Sequence, residues 1–120
     1  MSTFKDLLVY KKAFELAMDI FEVSKRFPKE ETYSLTDQIR RSSRSVCANF
    51  AEAYRRRKYP AHFISKLTDS DSENAETVVW LNFSLACNYI TQMEFTALLS
   101  KVNEVGRLLG DIINNPDKYS

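Results

Sequence analysis

Val9, Ala13, Leu16, Ile20, Val23 and Phe27 recur at alternating steps of four and three. That is the repeat of a helix burying one face against other helices. A strand would need alternation at every second residue instead. Tyr10, Phe14, Ala17 and Phe21 form a second stripe beside the first, while Lys11, Lys12, Glu15, Asp19 and Glu22 fill the remaining surface. The same periodicity returns in three later stretches. With only 2 Gly and 3 Pro in 120 residues, the chain lacks the turn material of an all-β or α/β fold. The expectation is an all-α, up-and-down antiparallel four-helix bundle, one domain over residues 1–120, with helices at about 6–27, 34–58, 60–89 and 92–114.

The boundaries have local causes. Phe27 precedes Pro28, which disfavours helical geometry there. Ser34, just ahead of Asp37, is expected to cap the second helix with its hydroxyl. Tyr59 is pushed from helix by Pro60, which itself suits a first helical turn. The third helix carries Ile64, Leu67, Val78, Leu81 and Leu85 on a stripe, with Asp71 and Asn74 at stripe positions in its polar middle. A continuous helix is expected, because a break would leave two short pieces. Thr91 with Glu94 three residues on is a capping-box signature. Phe95, Leu98, Leu99, Val102, Val105, Leu108, Leu109, Ile112 and Ile113 follow, and Asn115-Pro116 closes the helix.

Charge concentrates in the second helix. Residues 35–58 bury a seam of Leu35, Ile39, Ser42, Val46, Asn49 and Ala53, and elsewhere carry Arg40, Arg41, Arg44, Arg55, Arg56, Arg57 and Lys58. Seven basic residues against Asp37 and Glu52 leave this stretch at +5 in a chain of net charge +1. Near-neutrality overall excludes a general polycation, so any polyanion binding must come from this cluster. One reading is contact with RNA or DNA phosphates by these seven residues, with Tyr54 and Tyr59 stacking on unpaired bases. Arg40, Arg41 and Arg44 stand some three turns from Arg55, so two patches are expected. The competing reading is a solvated face balanced by the third helix, which is −3 over residues 60–90. A third is a protein-interaction scaffold that docks a partner such as a polymerase through Tyr10, Phe14 and Phe21, without touching nucleic acid. Asn49, Glu52 and Glu76 read as a structural polar network between helices two and three. Arg40 or Arg44 is expected to pair with an acid of the third helix.

Little points to catalysis. His62 is the only histidine and has no ligand-spaced neighbours. Cys47 and Cys87 sit singly in apolar helical runs, as small hydrophobes do, and suit a reducing compartment. The sequence holds no phosphate-binding glycine loop, metal-ligand motif or nucleophile elbow. No catalytic residue, metal or cofactor is therefore expected. The N-terminus lacks an apolar core of the signal-peptide kind, and no run approaches the roughly 18 apolar residues of a membrane span. A cytoplasmic protein without a membrane partner is the expectation.

Four stretches carry a family resemblance: FKDLLVYKKAFELA, YSLTDQIRRSSRSVCANFAEAYRRR, HFISKL and AETVVWL. They resemble the small four-helix-bundle proteins encoded in intervening sequences of bacterial large-subunit ribosomal RNA genes, often labelled as a ribosomal protein. They are also similar to the accessory variability proteins of diversity-generating retroelements. The resemblance covers about residues 4–114. It rests on Leu35, Thr36, Gln38, Ile39, Arg40, Arg41, Ser45, Ala48, Asn49, Ala51, Glu52, Arg56 and Glu76. It implies an up-and-down bundle assembling as a homopentamer around a channel. For the retroelement relatives it implies binding to nucleic acid and to a reverse transcriptase. The chain departs from the family pattern at Ala53 and Arg55, where glycines are usual, and in the polar stretch 68–74.

Overall fold

A computed structural model describes residue 4 and residues 7–118. Among the described residues are four α-helices and no strand: α1 (Leu8–Ser24), α2 (Asp37–Arg55), α3 (Pro60–Ala86) and α4 (Gln92–Asn114). Each helix packs on its sequence neighbours and α4 closes back onto α1, with the α2–α3 pair the most extensive. This is the up-and-down ring of an antiparallel four-helix bundle, drawn out to 44 × 25 × 23 Å.

The core follows the heptad stripes. Val9, Ala13, Leu16 and Ile20 of α1 meet Ile39, Val46, Phe50 and Ala53 of α2, Phe63, Leu67 and Leu81 of α3, and Val102, Val105 and Leu109 of α4. α1 ends at Ser24, three residues earlier than expected; its expected start at Asp6 lies outside the described residues. The amides of Lys25, Arg26 and Phe27 reach back only three residues, to Glu22, Val23 and Ser24. The last turn thus tightens and swings Phe27 into the core instead of prolonging the helix.

Ser34 does not cap α2. The chain passes through a 3-10 turn (Lys29–Glu31) and a π turn (Thr32–Thr36) directly into the helix, and the Ser34 hydroxyl donates to Glu31 Oε1 at 2.6 Å. Leu35 and Thr36 anchor that turn in the interior. α2 stops at Arg55, short of the expected Lys58, at about 28 Å by helical rise. Asn49 lies at the edge of its seam; Phe50, the neighbouring residue, holds the central place at 1% exposure.

α3 is continuous from Pro60, with Tyr59 extended ahead of it. The expected stripe holds at Leu67, Asn74 and Leu81, and elsewhere the buried position lies one residue earlier. The buried positions are Phe63, Leu67, Ser70, Asn74, Thr77, Leu81 and Ser84, whereas Asp71 is exposed and Ile64, Val78 and Leu85 are half-buried. Small hydroxyl residues fill the inner face, which lets α2 and α3 approach closely. Each finds a partner: Ser70 Oγ donates to the Val46 carbonyl at 2.7 Å, and the Ser42 and Thr77 hydroxyls share a bond of 2.9 Å. Polar groups at such positions are tolerated because they are hydrogen-bonded, although Asn74 uses only its Nδ2, to the Val102 carbonyl, and its buried Oδ1 has no partner among the described residues.

The remaining ends are capped. At the end of α3 the Asn88 amide bonds to Leu85 and the Tyr89 amide to Ser84, with Asn88 left-handed at φ 62. That is a Schellman closure, and asparagine accepts its left-handed position. Thr91 and Glu94 complete the expected capping box of α4. Arg26 Nη2 donates to both Glu94 carboxylate oxygens at 2.7–2.8 Å, tying the end of α1 to the start of α4.

Candidate nucleic-acid interface

The buried face of α2 takes Ile39, Ser42, Ser43, Val46, Phe50 and Ala53, so the arginines interleaved with them are left outside. Three cations then gather on one ring. The guanidinium carbons of Arg40 and Arg44 stand 4.8 and 5.6 Å from the Phe21 ring centroid, and Lys25 Nζ stands 4.8 Å away. The ring's electron-rich face attracts each cation, by about 0.5–1 kcal/mol at an exposed site. Arg40 is fixed further by Nε donating to Ser24 Oγ at 2.8 Å. Among the described residues, neither Arg40 nor Arg44 has a carboxylate within ion-pair distance.

The pairing with the third helix falls to Arg41, not to Arg40 or Arg44. Its Nη1 lies 3.1 Å from Glu73 and its Nη2 2.9 Å from Glu76. The reason is angular: Arg41 flanks the α2–α3 contact, while Arg40 and Arg44 point over α1 onto Phe21. Hydrogen bonds donated to Glu73 and then to Glu76 raise the Arg41 pKa. Burial raises the Glu76 carboxyl, but hydrogen bonds from Trp80 and Arg41 hold it below the ordinary range.

At the other end of α2, Arg57 is used internally. Its guanidinium lies 4.1 Å over the Tyr54 ring and donates to the Tyr54 carbonyl at 2.9 Å. Tyr54 also stacks on Phe50, so Tyr54 serves the fold. Arg55, Arg56, Lys58 and Tyr59 are exposed at this exit, and His62 lies edge-on to Tyr59.

Asn49 and Glu52 meet at Lys66, whose Nζ reaches Glu52 Oε2 at 2.9 Å and Asn49 Oδ1 at 3.5 Å. Glu76 stands apart with Arg41 and Trp80. The three residues belong to two clusters joined only through the α2–α3 seam.

Two grooves border the basic residues. An open groove of about 630 Å³ is lined by Tyr33, Asp37, Gln38, Arg40, Arg41 and Arg44. An apolar trough of about 370 Å³ between α1 and α2 includes Tyr10, Phe14, Ala17, Met18 and Cys47, with Arg44 and Ala48 as the wall between the two. Burial pushes the Cys47 thiol up to about 11, so it stays protonated at neutral pH. Phe14 and Met18 are 51% and 44% exposed, whereas Phe21 lies under the cations. Tyr33, 86% exposed on the π turn, is the groove residue that the sequence reading missed. Its one signal was an aromatic side chain in an otherwise polar connection.

Among the described residues no group of three or more His, Cys, Asp or Glu side chains is placed to hold a metal ion. Among the described residues no helix is long and apolar enough to cross a membrane.

These features define a small all-helical bundle protein with a basic outer face. The chain belongs to the family described as 23S rRNA-intervening sequence protein, which it matches over residues 5–111. A crystal structure of a protein of unknown function from the S23 ribosomal protein family of Bacteroides thetaiotaomicron is similar, with a TM-score of 0.80 at 32% identity. The match covers 88% of this chain and 98% of that one. No curated protein matches the chain.

Proposed function

We propose that this protein is a non-enzymatic, cytoplasmic nucleic-acid-binding bundle. In this reading Arg40 and Arg44, with Arg55, Arg56 and Lys58 at the exit of α2, contact RNA or DNA phosphates. The observation that supports it is the braced Arg40–Phe21–Arg44 group. Two guanidiniums are held in place by a ring and left without an internal carboxylate partner, so their charge is available to an anion. Side chains already ordered lose less freedom on binding, and phosphate contacts by Arg position a strand without reading its sequence.

The test is titration of a labelled RNA while salt is varied. Affinity is expected to fall steeply with salt and to drop when Arg40 and Arg44, or Arg55 and Arg56, become Gln. Salt-independent binding, or binding indifferent to these changes, sinks the reading.

A second reading has its own support in the exposed Phe14 and Met18 beside the apolar trough. There the α1 flank is a protein interface, used between copies of the chain in a homopentamer or to dock a partner such as a polymerase. The number five comes from the family resemblance. Light scattering on the purified protein tests assembly, with Phe14→Asp expected to dissociate it. A monomeric mass at micromolar concentration removes the assembly. Pull-down by a partner that survives high salt but fails with Phe14→Asp would favour docking.

A further inference from the structure

We infer that the groove at the start of α2 takes unpaired nucleotides, with a base laid on Tyr33 and the adjoining phosphates on Arg40 and Arg44. The inference rests on the nucleic-acid reading above and narrows it from nucleic acid in general to single strands.

Tyr33 carries the argument. A tyrosine normally covers much of its ring by packing, yet this one is 86% exposed. The turn that presents it is well built on both sides. Thr32 Oγ1 donates to the Lys29 carbonyl at 2.7 Å, Ser34 donates to Glu31, and Leu35 and Thr36 are buried. A backbone tied down at each neighbour fixes where the ring emerges into solvent, so stacking has only two side-chain torsions left to order.

The ring shares its groove with Arg40 and Arg44. Asp37 also lines the groove, and Arg41 is engaged by Glu73 and Glu76. Attraction for an anion there rests on Arg40 and Arg44 alone. An aromatic face next to two guanidiniums is the pairing that single-strand sites use, with rings for bases and cations for backbone. A duplex offers phosphates to the arginines but keeps its bases stacked on one another, so the tyrosine gains nothing from it. RNA and DNA both present the two groups addressed, so both kinds of single strand are expected to bind.

The experiment is fluorescence anisotropy with labelled oligouridylate and oligothymidylate of about a dozen nucleotides, within the roughly 4–16 such sites cover. A double-stranded RNA of the same length is run beside them. Tyr33→Ala is expected to weaken both single strands by about tenfold and leave the duplex unchanged. Tyr33→Phe is expected to restore single-strand affinity, because the ring and not the hydroxyl does the stacking. Exposed Tyr33 tolerates both changes, and an unaltered melting curve for each variant verifies that. If Tyr33→Ala leaves single-strand binding intact, or the duplex binds as tightly and loses as much, the inference is overturned. In that case, if Arg40→Gln with Arg44→Gln still weakens binding, the broader phosphate reading stands. If no strand of any kind binds, both fall together.

Discussion

Arg40 and Arg44 illustrate how one residue can set the behaviour of its neighbours. Phe21 lies half-buried on α1 and gives two guanidiniums of α2 a common support. Lysine is a poor substitute for either, since a compact ammonium neither stacks nor offers a planar fork to phosphate. Phe21→Leu keeps an apolar contact but removes the ring face. It is expected to leave the fold intact and weaken RNA binding several-fold with no change in net charge. Unchanged affinity in that variant would mean the ring contributes nothing to the arginines. The two cysteines also differ by environment alone. Cys87 is exposed, whereas burial raises the Cys47 thiol to about 11, and thiolate is the reactive form. One thiol per chain is therefore expected to label quickly at pH 8, and mass mapping should place it at Cys87. Rapid labelling of Cys47 would show that the trough beside it opens.

At the scale of the helices, the two glycines of α4 face different surroundings. A methyl group added at Gly110 meets nothing within 4 Å, while one at Gly106 comes to 3.4 Å from Asn74 Nδ2. Gly110→Ala is expected to stabilise by about 0.5–1 kcal/mol, the ordinary helix-propensity gain. Gly106→Ala should gain less, because Asn74 is fixed by a 3.0 Å bond to the Val102 carbonyl; urea denaturation measures both. Ion pairs between elements set the acid limit. Glu94 is held below the ordinary range by its hydrogen bond from Arg26, Glu52 by that from Lys66 and Glu15 by that from Lys101. A lowered folded-state pKa adds stability that is complete above the unfolded value and lost as pH falls through the folded one. The urea midpoint is thus expected to stay level from about pH 8 to 5 and decline below about 4.3. A decline starting near neutrality would point to another group. Helix number, the Tyr59-Pro60 boundary and the capping box were legible in the sequence because each has a local cause. The α3 register was legible only at Leu67, Asn74 and Leu81. Its buried stripe is more than half hydroxyl and amide, and Ser70, Asn74 and Thr77 can be buried only because Val46, Val102 and Ser42 stand opposite them as partners.

Over the whole molecule, the sequence located the positive charge and its two patches, but not which members of each patch turn inward. Linear order cannot say that Arg41 turns to Glu73 and Glu76, that Arg57 folds over Tyr54, or that Tyr33 lines one groove with Arg40. Those depend on which side of α2 each neighbour occupies. What remains is a groove with Arg40 and Arg44 and an exit cluster with Arg55, Arg56 and Lys58. Arg44 and Arg55 are about 16 Å apart by helical rise. The chain's net charge is only +1, so little diffuse attraction masks their separate effects. The slope of log affinity against log salt counts the phosphates neutralised, at about 0.7 each on a single strand. Arg40→Gln with Arg44→Gln is expected to reduce the magnitude of that slope by about 1.4, and neutralising Arg55, Arg56 and Lys58 by about 2, when the strand is long enough to reach both. If neutralising the exit cluster leaves the long-strand slope untouched, that end of α2 is a solvated helix terminus and the groove acts alone.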